Sequence, residues 1–575
     1  MIELPALKPL TSSMDGVNGF TGYNHGMRIN STEFFDQKNV TGEYLPVIRS
    51  RHARGILRKL EKANGLFAND KLGWVDGTTL YYNGEAVGTV TDTEKKVMRM
   101  GANIVIWPDK VYYNTRTGEF GPLEAHYVSA GAVSAVLCRS DGNAYSSYTA
   151  SSTAPDAPEN GDYWLDISGE TSILKQYSTS LSMWTTIQTV YVKIIAPGIG
   201  ADFSQYDSVT IAGMDNAALN GDFFLTARGE DWIVITAVIA QAIAVNSVPV
   251  SVDRYTPDME YITESNNRLW GCNSANNEIY ACALGDAKNW YQYRGISTDS
   301  YAVTVGSAGP FTGAATHLGN VFFFKENIIH QILGTIPSNF TLSDTGARGV
   351  SQGSGKSLCV VNEVLYYRAL NDVCAFAQSL PNGISAALGN ETYRNAVAGA
   401  WGRYYYICME KQNGEHSLFV YDTENQTWSK EDNLNVRWFV QLGGELYFIA
   451  DNILYSARGT LDEYGDAGKA LEGPIEWMLE TGDIGTENPY TKYISGIQLS
   501  VDLALGSSMK VLIQYNGFGA WTEIYHTAVI RPQNMVLPIT TKRCRTVKLR
   551  IQGKGEFSLF SIAKRISAGS DKYEI

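Results

Sequence analysis

The sequence predicts an all-β protein: a β-propeller with an inserted small β domain and a C-terminal β-sandwich. Three observations predict it. Gly (55) and Tyr (34) are abundant among the 575 residues, and only 18% are charged; glycine serves turns and aromatic rings suit pleated, half-buried surfaces. One unit, apolar strand, turn, apolar strand, recurs from Arg268, Gly319, Asn362, Gly402 and Gly444, and periods of roughly 40–50 residues mark propeller blades. Two further copies start at Leu72 and Ala102, and setting aside residues 127–253 restores blade spacing between them and Arg268.

Residues 1–65 read as an irregular, subunit-facing N-terminal segment. Within it Arg49, Arg51, His52, Arg54, Arg58 and Lys59 form a basic cluster expected in a solvated or subunit-facing loop, and Ile56 to Ala63 permits a short helix. Residues 66–126 hold the first two hairpins. Asp76-Gly77 and Asn83-Gly84 are hairpin dipeptides because these residues tolerate positive φ, and Pro108 belongs in a turn because it has no ladder donor. Residues 127–253 form the inserted β domain, opening on a Ser-, Thr-, Ala- and Pro-rich stretch and continuing as short alternating strands. Its apolar run Val234 to Val245 fits a strand or a buried helix equally well.

Residues 254–465 carry the remaining blades and 466–575 a jelly-roll-like sandwich. There Ile497, Leu499 and Val501 alternate onto one face, as do Val547, Leu549 and Ile551, so one side of each strand is apolar and the other wet. Lys542, Arg543, Arg545, Lys548 and Arg550 are placed on a solvated face, and the tail from Ser567 is read as loose or subunit-bound.

A net charge of −13 argues against a dedicated nucleic-acid binder, which needs Lys and Arg to neutralise phosphates. It is compatible with a wall that repels DNA and lets it slide past. No run approaches 18 apolar residues, so no membrane-spanning helix is predicted. Met1-IELPALKPLTSS lacks the basic start and apolar core of a signal peptide, giving the expectation of folding in a cytoplasm. The seven cysteines are widely spaced without C-x-x-C, against a disulfide framework or zinc ribbon; Cys272 and Cys282 flank one hairpin and read as buried thiols.

Motifs of catalysis are incomplete. Gly349-VSQG puts Ser351 in a G-x-S-x-G frame, but inside a β repeat and not at a strand-to-helix elbow. Gly355-Lys356-Ser357 resembles the end of a phosphate loop, yet Val350 occupies the required glycine position and a strand follows. The seven histidines show no ligand spacing. The expectation is therefore no catalytic, metal or cofactor-binding residues, no cofactor and no enzymatic activity.

The order of elements carries a resemblance. Tyr44-LPVIRSRHARG, hairpins of the Lys71-LGWVDGTTLYYNGEAVGTV kind, blades such as Glu260-YITESNNRLWGCNSANNEIYACALGDAKNW and Gly319-NVFFFKENIIHQI, and closing strands Ile497-QLSVDLALGSSMKVLIQYNGFGAWTEI and Arg545-TVKLRIQGKGEFSLFSIAKRI follow one another. This order resembles the tail nozzle (tail hub) proteins of short-tailed bacteriophages; the insertion at 127–253 departs from it. The resemblance implies a structural protein of the virion tail, made in the host cytoplasm and assembled as a homo-oligomeric ring, a hexamer. The ring would sit below the portal and adaptor, pass genomic DNA without reading its sequence, and contact needle, plug or fibre proteins. Two alternatives stand beside it: a host-surface or glycan-binding propeller adhesin or receptor-binding tail protein, and a propeller glycoside hydrolase marked by convergent acids in a blade-lined pocket.

Overall fold

Seven antiparallel blades of four strands surround one axis in the computed structural model, which describes residues 12–377, 379–487, 491–528 and 533–568. Blades 1 to 7 span residues 63–89, 96–122, 261–304, 313–346, 359–383, 393–430 and 436–456. The seventh is completed by Gly55–Lys59, which pairs antiparallel with Ile453–Ser456 and closes the ring. Inner strands of blades 7 and 1 touch, as do those of 1 and 2, 2 and 3, 3 and 4, 5 and 6, and 6 and 7; between blades 4 and 5 the single-turn Gly355–Ser357 fills the gap.

The repeat visible in the sequence is the second and third strand of each blade. In blade 4 these are Asn320–Phe324 and Ile328–Leu333. They read as continuous apolar runs because each is buried on both faces. Val321 and Phe323 point into the gap with blade 3, and Phe322 and Phe324 into the gap with blade 5. An apolar core fills each of the seven gaps, and each large side chain moved from water contributes about 1.5–3 kcal/mol. The same alternation separates Cys272, facing blade 4, from Cys282, facing blade 2; both are free buried thiols. Pro108 sits between Asn103–Trp107 and Val111–Asn114, in the turn.

The inserted domain leaves blade 2 through Ala125–Val128 and returns beside it through Ser251–Arg254. Three four-stranded sheets share its separate core of Leu137, Val192, Ile194, Ile211, Ile233 and Val252 among others. The apolar run resolves as strand Trp232–Thr236 followed by irregular chain to 245, with no helix. The domain is held to blade 3: Asp207 takes a hydrogen bond from Asn289 at 2.9 Å and pairs with Arg254 at the neck.

The N-terminal segment departs from expectation. It is not irregular: Ser12–Val17, Val40–Thr41 and Ile48–Ser50 join the sandwich sheet of Lys492–Leu503 and Phe557–Ala568. Gly22–Tyr23 and Glu33–Lys38 bridge blade 6 to Glu476–Thr481, giving one sheet of ten strands shared by propeller and sandwich. The expected helix at 56–63 is instead the strand Gly55–Lys59, whose Leu57 is fully buried between blades 7 and 1. Long-range pairing overrides the local pattern there. The sandwich core contains Ile497, Leu499, Val501, Val547, Leu549 and Ile551 together with Phe20, Phe34, Val40 and Ile48 from the N-terminal segment.

The basic cluster is also corrected. Arg51 is 5% and Arg54 1% exposed, both inside the chain and not in a solvated or subunit-facing loop. Arg54 donates to Asp432 at 2.6 Å and Glu431 at 2.5 Å, while Arg51 grips Glu472 with both terminal nitrogens at 2.7 and 2.9 Å. Burial raises the Asp432 and Glu472 carboxyls, but these guanidiniums outweigh it and hold both below the ordinary carboxyl range. On the sandwich, Lys548 lies 4.3 Å over Phe35 and Arg550 bonds Glu480 at 2.7 Å, so that face is partnered more than solvated. The tail from residue 569 lies outside the described residues.

Candidate functional site: the mouth of the propeller

The inner strands begin around one opening of the axis, and residues at their starts, with a turn and a hairpin beside them, line a cavity of about 900 Å³. Blade 2 contributes Glu94 and Lys96, blade 3 Glu260 and Tyr261, the approach to blade 4 Phe311, blade 6 Glu410 and His416, and blade 7 Arg437.

Lys356 reaches into this mouth from the turn Gly355–Ser357. The serines around it explain why the turn is fixed. Ser351 donates to Ser354 Oγ at 3.0 Å, Ser354 Oγ accepts from the Ala396 N–H at 3.1 Å, and Ser357 Oγ accepts from the Arg368 N–H at 2.9 Å. Gly355 is required by close approach: a Cβ there would lie 2.4 Å from Tyr261 Cε1 and 2.7 Å from Thr312 O. The serine-rich stretch that frames Ser351 and Lys356 is thus a mount that ties blade 5 to blade 6, and Ser351 is buried within it.

From that mount Lys356 crosses the axis. Its ammonium is 2.8 Å from Glu94 on blade 2, donates to Arg437 O at 3.3 Å on blade 7 and sits 4.3 Å over the Trp438 ring. Arg437 shares the same carboxylate at 3.3 Å. Burial raises Glu94, yet Lys356 and Arg437 hold it below the ordinary range. Glu410 is likewise held low by hydrogen bonds from Arg394 and Asn395, both at 2.6 Å. Glu260 accepts from the Ser274 hydroxyl and from its N–H at 3.2 Å. Each acid therefore has its own donors. A proton-donating glycosidase acid needs the opposite environment, one that raises its pKa, and Glu94 and Glu410 do not have it. Among the described residues no group of three His, Cys, Asp or Glu is placed to hold a metal ion.

Sequence reasoning names none of these mouth residues as a site, because they come from six separate segments: the starts of inner strands, the turn at Lys356, and the hairpin of blade 6 that carries Glu410 and His416.

The fold and the mouth together define an all-β propeller–sandwich protein with a polar, internally paired axial opening. No family model and no curated protein matches the chain. Among solved structures it is similar to an exo-β-1,3-galactanase from Phanerochaete chrysosporium with galactose, at 8% identity over 53% of this chain and 95% of that one, TM-score 0.22. It is also similar to the extracellular domain of a one-component system from B. thetaiotaomicron, at 10% identity over 92% of this chain and 95% of that one, TM-score 0.22. At these values neither likeness carries an activity to this chain.

Proposed function

We propose that the protein is a structural component of a virion tail, a nozzle that assembles as a ring below the portal and adaptor and continues the path of the DNA. The observation that carries this reading is the role of the segment Tyr44-LPVIRSRHARG, on which the resemblance begins. It joins propeller to sandwich through Ile48–Ser50, Gly55–Lys59 and the buried Arg51 and Arg54. A scaffold that must keep its shape under load needs such a joint. The salt bridge of Lys356 across the axis also argues against a polymer passing through one propeller, so a conduit would have to be lined by several copies. A net charge of −13 suits a wall that does not hold DNA.

The test is mass determination of the purified chain with and without its adaptor, paired with an electrophoretic mobility shift at physiological salt. A ring with weak DNA binding is expected; a persistent monomer in the presence of adaptor would refute the proposal.

A second reading, a glycan-binding or glycan-cleaving propeller, is favoured by the mouth itself, where Glu260 stands near Tyr261 and Phe311. Sugar release from a polysaccharide panel that is lost in Glu260→Gln would establish it.

A further inference from the structure

We propose that Ser307, His330 and Asp344 form a serine-hydrolase triad on blade 4 that cleaves short O-acyl esters. His330 lies on Ile328–Leu333 and Asp344 directly opposite on Thr341–Gly346. Asp344 Oδ1 is 2.6 Å from His330 Nδ1, and Ser307 Oγ is 2.9 Å from His330 Nε2. The ring is fully buried and packs edge-on to Phe311 with centroids 6.0 Å apart, which fixes its plane. A carboxylate can only accept, so in the triad Nδ1 carries the proton toward Asp344 and Nε2 is left to accept the Ser307 hydroxyl. This is the order of contacts that activates a serine.

The nucleophile's loop is mounted independently of that hydroxyl. The Ser307 carbonyl accepts from Lys325 Nζ at 2.7 Å and from Asn277 Nδ2 at 3.0 Å. A serine needed only to hold the loop would be redundant there. Gly306, Ala308, Gly309 and Pro310 are exposed, so the hydroxyl lies beside solvent. Gly309 turns the chain at φ +86°, and the N–H groups of Ser307, Ala308 and Gly309 have no backbone acceptor among the described residues. Free N–H groups beside the nucleophile are what an oxyanion requires. The loop lies open to water, which suits a small acyl group on a polar alcohol.

The chemistry balances. Ser307 Oγ adds to the ester carbonyl as its proton passes to His330 Nε2. The tetrahedral adduct expels the alcohol, which takes that proton, and leaves an acyl ester on Ser307. Water then adds, giving its proton to Nε2, and collapse releases the carboxylic acid as Ser307 regains a proton.

The experiment uses the full chain with a fluorophosphonate probe and with p-nitrophenyl acetate. The expected result is one adduct per chain, mapped to Ser307 by peptide mass, and ester turnover that falls with longer acyl chains. Ser307→Ala removes both while its melting profile matches wild type. Asp344→Asn lowers turnover by at least about 10-fold, less than the roughly 10⁴ seen for a buried triad aspartate, because water reaches this carboxylate. No adduct on the folded wild type, an adduct on another serine, or unchanged turnover in Ser307→Ala overturns the proposal.

Discussion

Replacing Arg54 by Met removes the most enclosed cation of the joint between propeller and sandwich. Its contacts at 2.5 and 2.6 Å to Glu431 and Asp432 vanish, and both carboxylates stay buried. Breaking a buried pair by deleting one partner costs about 3–5 kcal/mol, because the remaining charge is uncompensated. Arg51 softens this, since it stays 3.6 Å from Asp432 and 4.0 Å from Glu431. The expected loss is therefore near the lower end, about 3 kcal/mol. The assay is urea unfolding followed by tryptophan fluorescence, with limited proteolysis reporting on the segment around residues 50–55. Adding Glu431→Gln and Asp432→Asn to the Met variant should recover a substantial part of the loss, because the unpaired charges go with the arginine. A single variant within about 0.5 kcal/mol of wild type, the range of an ordinary surface change, would refute the argument that these groups act as a buried network.

Three other outcomes follow from the same structure. Asp432 and Glu472 titrate below the ordinary carboxyl range in the folded chain, so their stabilisation is present above about pH 4 and is lost as pH falls through the folded values; a pH series of unfolding midpoints should show this acid loss, and Arg54→Met should flatten it. Leu57→Ala empties a fully buried position between blades 7 and 1 and should cost about 2–5 kcal/mol, read as a lower unfolding midpoint with earlier proteolysis near the closing strand. Replacing residues 126–253 by a short Gly/Ser bridge should leave a folded propeller, because the insert has a core of its own and the neck strands Ala125–Val128 and Ser251–Arg254 lie side by side; circular dichroism and melting of the shortened chain check this.

What was legible in the sequence was set by burial. Strands such as Asn320–Phe324 and Tyr404–Lys411 are enclosed on both sides, so they stand out as apolar runs whose period betrays the blades. Outer strands such as the two-residue Asn382–Gly383 are too short to show any pattern. The local pattern of Gly55–Lys59 suggests a helix because its partner lies far away at Ile453–Ser456, and no local signal encodes that pairing. Arg51 and Arg54 look like a solvated run for the same reason: their acids sit at 431, 432 and 472. The mouth and the Ser307–His330–Asp344 cluster are assembled across loops and strands, while the motif-like stretch around Ser351 is a structural mount.

The way both ends of the chain meet has a consequence for its synthesis. Ser12–Val17 and Ile48–Ser50 pair with Phe557–Ala568, and Gly55–Lys59 waits for Ile453–Ser456. At about 5–20 residues per second, a ribosome needs roughly 20–100 s to supply those partners. The first segments made are thus the last to be placed, with Phe20, Phe34 and Val40 uncovered throughout. Blades 1 to 6 can stack as they emerge, but the ring waits for Ile453–Ser456 and the sandwich for Phe557–Ala568. Newly made chain should therefore depend on protection of its first sixty residues, and truncation near the C-terminus should release a propeller in which Ser12–Val17 and Ile48–Ser50 have lost the strand they pair with.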